Sequence, residues 1–231
     1  MPTVLLVRHG RTAANASGTL AGWSPGVELD DTGAEQARAL AARVAGLPVV
    51  ALHSSPLTRC LQTADALAAV WDTPVTDQVD LGECRYGAWT GRPLAELATE
   101  PLWSAVQQHP SSVTFPASPD FGHESLAAMS TRAVAIVRAL DHQIEQEHGA
   151  DALWAAVSHG DVIKAVLADA TGAHLDAFQR FTVGPASLSV VRYTPERPYL
   201  LRVNDTGTLD GFAATTSAPA QGSAGVVGGG V

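Results

Sequence analysis

The sequence predicts an α/β protein, a three-layer α/β/α sandwich around a mostly parallel central sheet. Three observations point there. Short apolar runs, each followed by a turn and then by a helix-periodic stretch, recur at least three times. Apolar and aromatic residues make up 46% of the 231 positions and charged residues 16%, a balance that supplies a packed core and rules out a disordered chain. Lys164 is the only lysine, which rules out a Glu- and Lys-rich coiled coil.

The elements follow in order. Thr3–Val7 reads as a buried strand that ends at Arg8-His9-Gly10, where glycine permits a sharp turn. Residues 13–33, rich in Gly, Ser, Asn and Asp, read as a loop. Asp31-Thr32-Gly33 then leads into a helix predicted over Ala34–Ala45, with Ala37, Leu40, Ala41 and Val44 at helical spacing. A second strand is predicted over Leu47–Leu52. It stops at His53-Ser54-Ser55-Pro56, and Pro56 suits the first turn of a helix predicted over Leu57–Trp71. Pro74–Val79 reads as a short third strand, and Leu81–Gly91, with three glycines, as a loop. Pro93–His109 is weakly helical by pattern, and Pro110–Gly122, with three prolines, is irregular. Ser125–Glu147 predicts a long helix whose stripe runs through Leu126, Met129, Ala133, Ile136, Val137, Leu140 and Ile144. Ala152–Val157 is an apolar strand ending at Ser158-His159-Gly160-Asp161, with a helix predicted from Val162 to Thr171. Leu188–Tyr193 and Tyr199–Val203 read as closing strands that suit a hairpin. The expected organisation is a catalytic domain over 1–205 and a disordered Ala/Gly/Ser-rich tail over 206–231.

Composition limits the partners. Fourteen Lys and Arg against 23 Asp and Glu give a net charge of −9, which argues against non-specific nucleic-acid binding and against anionic membranes. Two cysteines, Cys60 and Cys84, make no disulfide framework. The first apolar run is too short for a signal or membrane segment, so the expected compartment is the cytoplasm.

Two histidines and two arginines collect where apolar strands end: Arg8-His9, then Arg59 just beyond Ser54-Ser55-Pro56, then His159. Ligands bind outside the carboxyl ends of strands in such sheets. Arginine presents a fork of donors that matches phosphate oxygens. Amides at the start of the helix after Gly160 add to an anion site. Histidine can take a phosphoryl group covalently, and a carboxylic acid in the glycine-rich loop, Glu83, is placed to protonate a leaving oxygen.

These segments jointly resemble the histidine phosphatase superfamily, the phosphoglycerate mutase-like fold. Thr3-Val4-Leu5-Leu6-Val7-Arg8-His9-Gly10-Arg11-Thr12 is similar to its signature, and Ser54 to Ala64 to its second motif. Leu81-Gly82-Glu83 with Tyr86 to Gly91 resembles its acid loop, Gly122-His123-Glu124-Ser125 its G-E-S segment with one residue inserted, and Ser158-His159-Gly160 its second histidine motif. The resemblance implies that His9 is the phosphorylated nucleophile, that Arg8, Arg59, Asn15 and His159 hold the phosphate, and that Glu83 is the proton donor. Gly10 and Thr12 would shape the loop. Arg11, where the family often has Glu or Gln, adds a cation at the pocket mouth or faces solvent. Glu124 approaches the substrate or serves as an acid in a helix's first turn. Gly82 stands where the family often has Arg, and Arg85 and Arg92 are the nearby replacements.

The expected activity is therefore a metal-independent phosphatase acting on a small phosphorylated substrate, with no cofactor and no metal site. A phosphoglycerate mutase-type phosphomutase and a catalytically dead phosphate-binding module are the alternatives. No Lys or Arg occurs between Pro93 and Thr131 to hold a second phosphate, which favours hydrolysis of a monoester with an uncharged or moderately polar leaving group. Trp89, Trp103, Phe115 and Phe121 are candidates to line that side. Other hydrolase patterns fit poorly: the sixth residue past Cys60 is Ala66 and past Cys84 is Thr90, so Cys-x5-Arg is missing. Asp30-Asp31-Thr32 lacks the spacing of an aspartyl-phosphate enzyme, and His159-Gly160-Asp161 is the only near match to a metal-ligand cluster.

Overall fold

Strand β1 (Thr3–Arg8) is buried on both faces, and its side chains alternate between two cores. Val4 and Leu6 point into one, Leu5 and Val7 into the other. The computed structural model describes residues 1–208. Around β1 stand β2 (Val49–Ser54), β3 (Val75–Asp77), β4 (Leu153–Ser158), β5 (Leu188–Arg192) and β6 (Tyr199–Asp205), in the sheet order β3-β2-β4-β1-β5-β6. The pairings β3–β2, β2–β4 and β4–β1 are parallel; β1–β5 and β5–β6 are antiparallel. The sheet is thus mixed, parallel through its first four strands and closed by the expected hairpin.

Helices cover both faces. Against Leu5 and Val7 lie α2 (Asp31–Val44) and α3 (Thr58–Trp71), through Leu40, Ala41, Val44, Cys60, Ala64 and Leu67. Against Val4 and Leu6 lie α6 (Leu126–His148) and α7 (Gly160–Ala170), with α4 (Leu94–Leu97) and α5 (Pro101–Gln108) beyond them. Burying a side chain such as Leu or Val stabilises by roughly 1.5–3 kcal/mol, so these two layers carry most of the folding free energy.

Where boundaries differ from the sequence reading, hydrogen bonds explain it. Helix α2 starts three residues early because Asp30 caps it, accepting from the Gly33 amide at 2.8 Å. Strand β2 begins two residues late because the Leu47 amide still closes the end of α2 on Val44. The supposed loop 13–33 contains a short helix, α1 (Ala13–Ala16), fixed by a reciprocal cap between Thr12 and Asn15. The weakly helical stretch divides into α4 and α5, with Pro101 opening the second. Helix α7 begins at Gly160, immediately behind His159. Within Leu81–Gly91 a 3₁₀ turn covers Gly87–Trp89. Among the described residues no helix is long and apolar enough to cross a membrane. Of the expected 206–231 tail, residues 209–231 lie outside the described residues.

Candidate active site

Parallel strands β1, β2 and β4 end side by side, and their ends deliver the site. Arg8 is the last residue of β1 and His9 follows, its amide bonded to the Ser158 carbonyl at 3.0 Å. His159 follows β4, and Ser55 follows β2. Arg59 rises from the first turn of α3. Gly10 must stay small, because a Cβ there would collide with the Gly33 carbonyl.

Two bonds define the state of His9. Its Nδ1 lies 2.7 Å from the Gly10 carbonyl, which can only accept, so Nδ1 carries the proton. Its Nε2 lies 3.3 Å from Nε of Arg59, which can only donate, so Nε2 holds a lone pair. Burial, together with Arg59 and Arg8, holds this imidazole well below the ordinary histidine range, so it is neutral. His159 is arranged the opposite way. Arg59 Nη2 donates to its Nδ1 at 3.2 Å, which leaves Nε2 to donate to the Ser55 hydroxyl at 2.8 Å. Burial and Arg59 keep it neutral as well. The two rings lie edge to face, 5.3 Å apart.

Arg59 is the hub: besides touching both histidines, its Nη2 donates to the Gly22 carbonyl at 2.9 Å. Arg8 donates to the Val183 carbonyl, and burial lowers its guanidinium to about 10 against the raising effect of Glu83 and Asp161. Glu83 is buried across from His9. One carboxylate oxygen accepts from the Cys84 amide at 2.9 Å and the other lies 3.8 Å from His159 Nδ1. Burial first, then the negative charge of Asp161, raises this carboxyl to about 7, while Arg59, the Cys84 amide and Arg8 pull it down. The cleft between these groups holds about 430 Å³, open mouth included, and His9, Asn15, Gly22, Arg59 and Glu83 line it.

Three expected substrate contacts are accounted for otherwise. Arg11 does not line this cleft: it pairs with Asp30 at 2.8 Å and donates to Thr32, bracing the start of α2. Glu124 neither lines it nor serves the first turn of α6. It precedes the Ser125 cap, and Arg132 holds both its oxygens, at 2.7 and 3.0 Å. Arg85 pairs loosely with Glu124 at 3.6 Å and lies over the Trp23 ring, in an outer groove with Phe121. Arg92 is held by Glu100 at 2.8 Å. Trp89 packs against both Trp103 and Phe115, with Trp89 and Phe115 in the core, and Phe121 lines the outer groove. Asn15 does line the cleft, oriented by Thr12, whose amide and hydroxyl both donate to its Oδ1.

The structure also adds residues that sequence reasoning missed. Trp23 donates its indole N–H to the Glu83 carbonyl at 2.6 Å, and its ring fills the space a side chain at Gly82 would need. Arg132 donates to the carbonyls of Asp80, Gly82 and Glu83. A lone tryptophan in a Gly-, Ser- and Asp-rich loop was the one available signal; Arg132 gave none. Among the described residues no three His, Cys, Asp or Glu side chains gather to hold a metal ion.

The family model of the histidine phosphatase superfamily (branch 1) matches residues 4–206. Phosphoserine phosphatase 1 of Hydrogenobacter thermophilus is 27% identical over 217 residues, covering 92% of this chain and 96% of that protein. A Yersinia enterocolitica protein named "Probable phosphoglycerate mutase GpmB" is 32% identical over 217 residues, 91% of this chain and 96% of its own. Among solved structures, Entamoeba histolytica phosphoserine phosphatase in complex with 3-phosphoglyceric acid superposes with a TM-score of 0.75 at 25% identity, covering 89% of this chain and 98% of that one.

Proposed function

The chain belongs to the histidine phosphatase superfamily (branch 1), and from that premise we propose that it hydrolyses small phosphate monoesters without a metal, through a phosphohistidine on His9 with Glu83 as proton donor. The observation that carries this reading is the pairing of an unprotonated His9 Nε2 with a carboxyl raised to about 7 in the wall of one cleft. A phosphoryl group entering between them takes over the Arg59 donor that Nε2 now accepts, and Arg8, Arg59 and Asn15 spread its charge. Nε2 bonds to phosphorus as the ester P–O bond breaks, and Glu83 gives its proton to the leaving oxygen. Glu83, now a carboxylate, takes a proton from the water that attacks the phosphohistidine. The P–N bond breaks, inorganic phosphate leaves, and both groups return to their starting states.

Transfer to a second substrate hydroxyl would make the same intermediate serve a mutase. Hydrolysis is favoured because Arg11 and Arg92 are already tied to acids, Arg85 lines the outer groove rather than the cleft, and 93–131 offers no Lys or Arg to hold a second phosphate. The test is release of p-nitrophenol from p-nitrophenyl phosphate by the wild type and by His9→Ala. The variant should lose at least about 10³-fold in kcat; retained turnover contradicts the assignment.

A further inference from the structure

Behind the acid loop lies a second set of buried charges that the steps above do not use. Asp161 and Lys164, one turn apart at the start of α7, are both buried, with Nζ 3.7 Å from Oδ1. Lys164 also donates to Gln179 at 3.0 Å and lies over the Phe178 ring. Tyr86, three residues past Glu83, donates its hydroxyl to the other Asp161 oxygen at 2.8 Å. Asp161 therefore ties the acid loop to the helix that follows His159. A buried ion pair gives little net stability, and apolar replacements are often neutral or better. Its consequence is better sought in the field it makes at Glu83.

We propose that Asp161, held between Tyr86 and Lys164, is a positioning residue whose negative charge keeps the transferable proton on Glu83. The proposal rests on the proton-donor reading given above. Glu83 is faced by Arg8 from β1, Arg59 from α3, His159 and Asp161 from the β4–α7 junction, Arg132 from α6, and Cys84 and Tyr86 of its own loop. Both histidines are neutral, so the cations are the arginines and Lys164, and each favours the carboxylate. A carboxylate has no proton to give a leaving alkoxide. Burial and Asp161, which stands two residues beyond the His159 ring that lies 3.8 Å from the Glu83 carboxyl, act against the arginines. Lys164, which feels both acids, offsets part of the field of Asp161. Asp161 and Lys164 must therefore move Glu83 in opposite directions.

The experiment is carbon-13 NMR titration of the glutamate carboxyls in the whole protein, with the Glu83 resonance identified by its loss in Glu83→Gln. Asp161→Asn should lower the Glu83 midpoint by roughly one pH unit and Lys164→Met should raise it, the scale expected for a buried charged neighbour. The alkaline limb of kcat/KM for glycerol 3-phosphate, an ester with a poor leaving group, should move in the same sense. Shifts of equal sign, or no shift in either variant, overturn the proposal. Should Asp161→Asn fail to fold, the double variant Asp161→Asn/Lys164→Met, which removes the buried pair together, decides: a lowered midpoint supports the proposal, and an unmoved or raised midpoint defeats it. If the wild type hydrolyses no ester, the proton-donor reading fails while the titration still reports on Asp161.

Discussion

At the scale of single residues, one hydrogen bond decides which nitrogen would attack in the proposed mechanism. Nδ1 of His9 is committed to the Gly10 carbonyl, so only Nε2 meets the cleft. Glu83 supplies the complementary state, a carboxyl raised above the usual range and protonated up to about 7. In the proposed mechanism the protonated form is the active acid, so kcat/KM should fall as pH rises through that value. Glu83→Gln should lose about 10²–10⁴-fold on an ester with a poor leaving group and lose the alkaline limb with it; an unchanged pH profile in that variant removes Glu83 from the role. The placement of Arg8, His9 and His159 at apolar strand ends, with Arg59 in the helix turn beyond β2, was legible in the sequence because the strands and the turns after them carry a clear pattern. Arg11 and Glu124 were not, because their partners lie 19 and 8 residues away and only the folded chain brings them together.

At the scale of elements, the acid loop is a clamped segment. Helix α6 reaches across through Arg132, which donates to Asp80, Gly82 and Glu83 carbonyls while gripping Glu124. Trp23 closes it from the opposite loop. Arg132 and Glu124 are both mostly buried, with Arg85 the only other basic side chain paired with that acid among the described residues. Arg132→Ala should therefore cost about 2–4 kcal/mol in urea denaturation, somewhat below the loss of one partner from a fully buried pair. It should also lower kcat by loosening Glu83, and near-wild-type values of both would show that the loop holds itself. Periodicity located α2 and α6 to within a few residues, since each buries one stripe; α3 and α7 were placed by the turns that precede them, and α7 is buried on nearly every side. Helix α1 escaped because four residues carry no period; its signal was the Thr12–Asn15 cap. Parallel pairing of β1, β2 and β4 followed from strand–turn–helix recurrence, but the fold of the acid loop over their ends left no local pattern to read.

At the scale of the whole molecule, a chain of net charge −9 buries Arg59 in the wall of one cleft and Arg8 beside the nucleophile candidate His9. Total charge therefore said little about the site, while the position of each arginine said much. The proposed chemistry is built from side chains alone, so EDTA should leave the hydrolysis rate unchanged. Strong inhibition reversed by added metal would contradict it. The account as a whole turns on a covalent bond between His9 Nε2 and phosphorus. The most direct measurement is to quench the protein during turnover of a phosphorus-32 monoester and map the label by peptide analysis. An acid-labile, alkali-stable adduct on His9 is the expected result; label on another residue, or no adduct under conditions of steady turnover, would contradict the account.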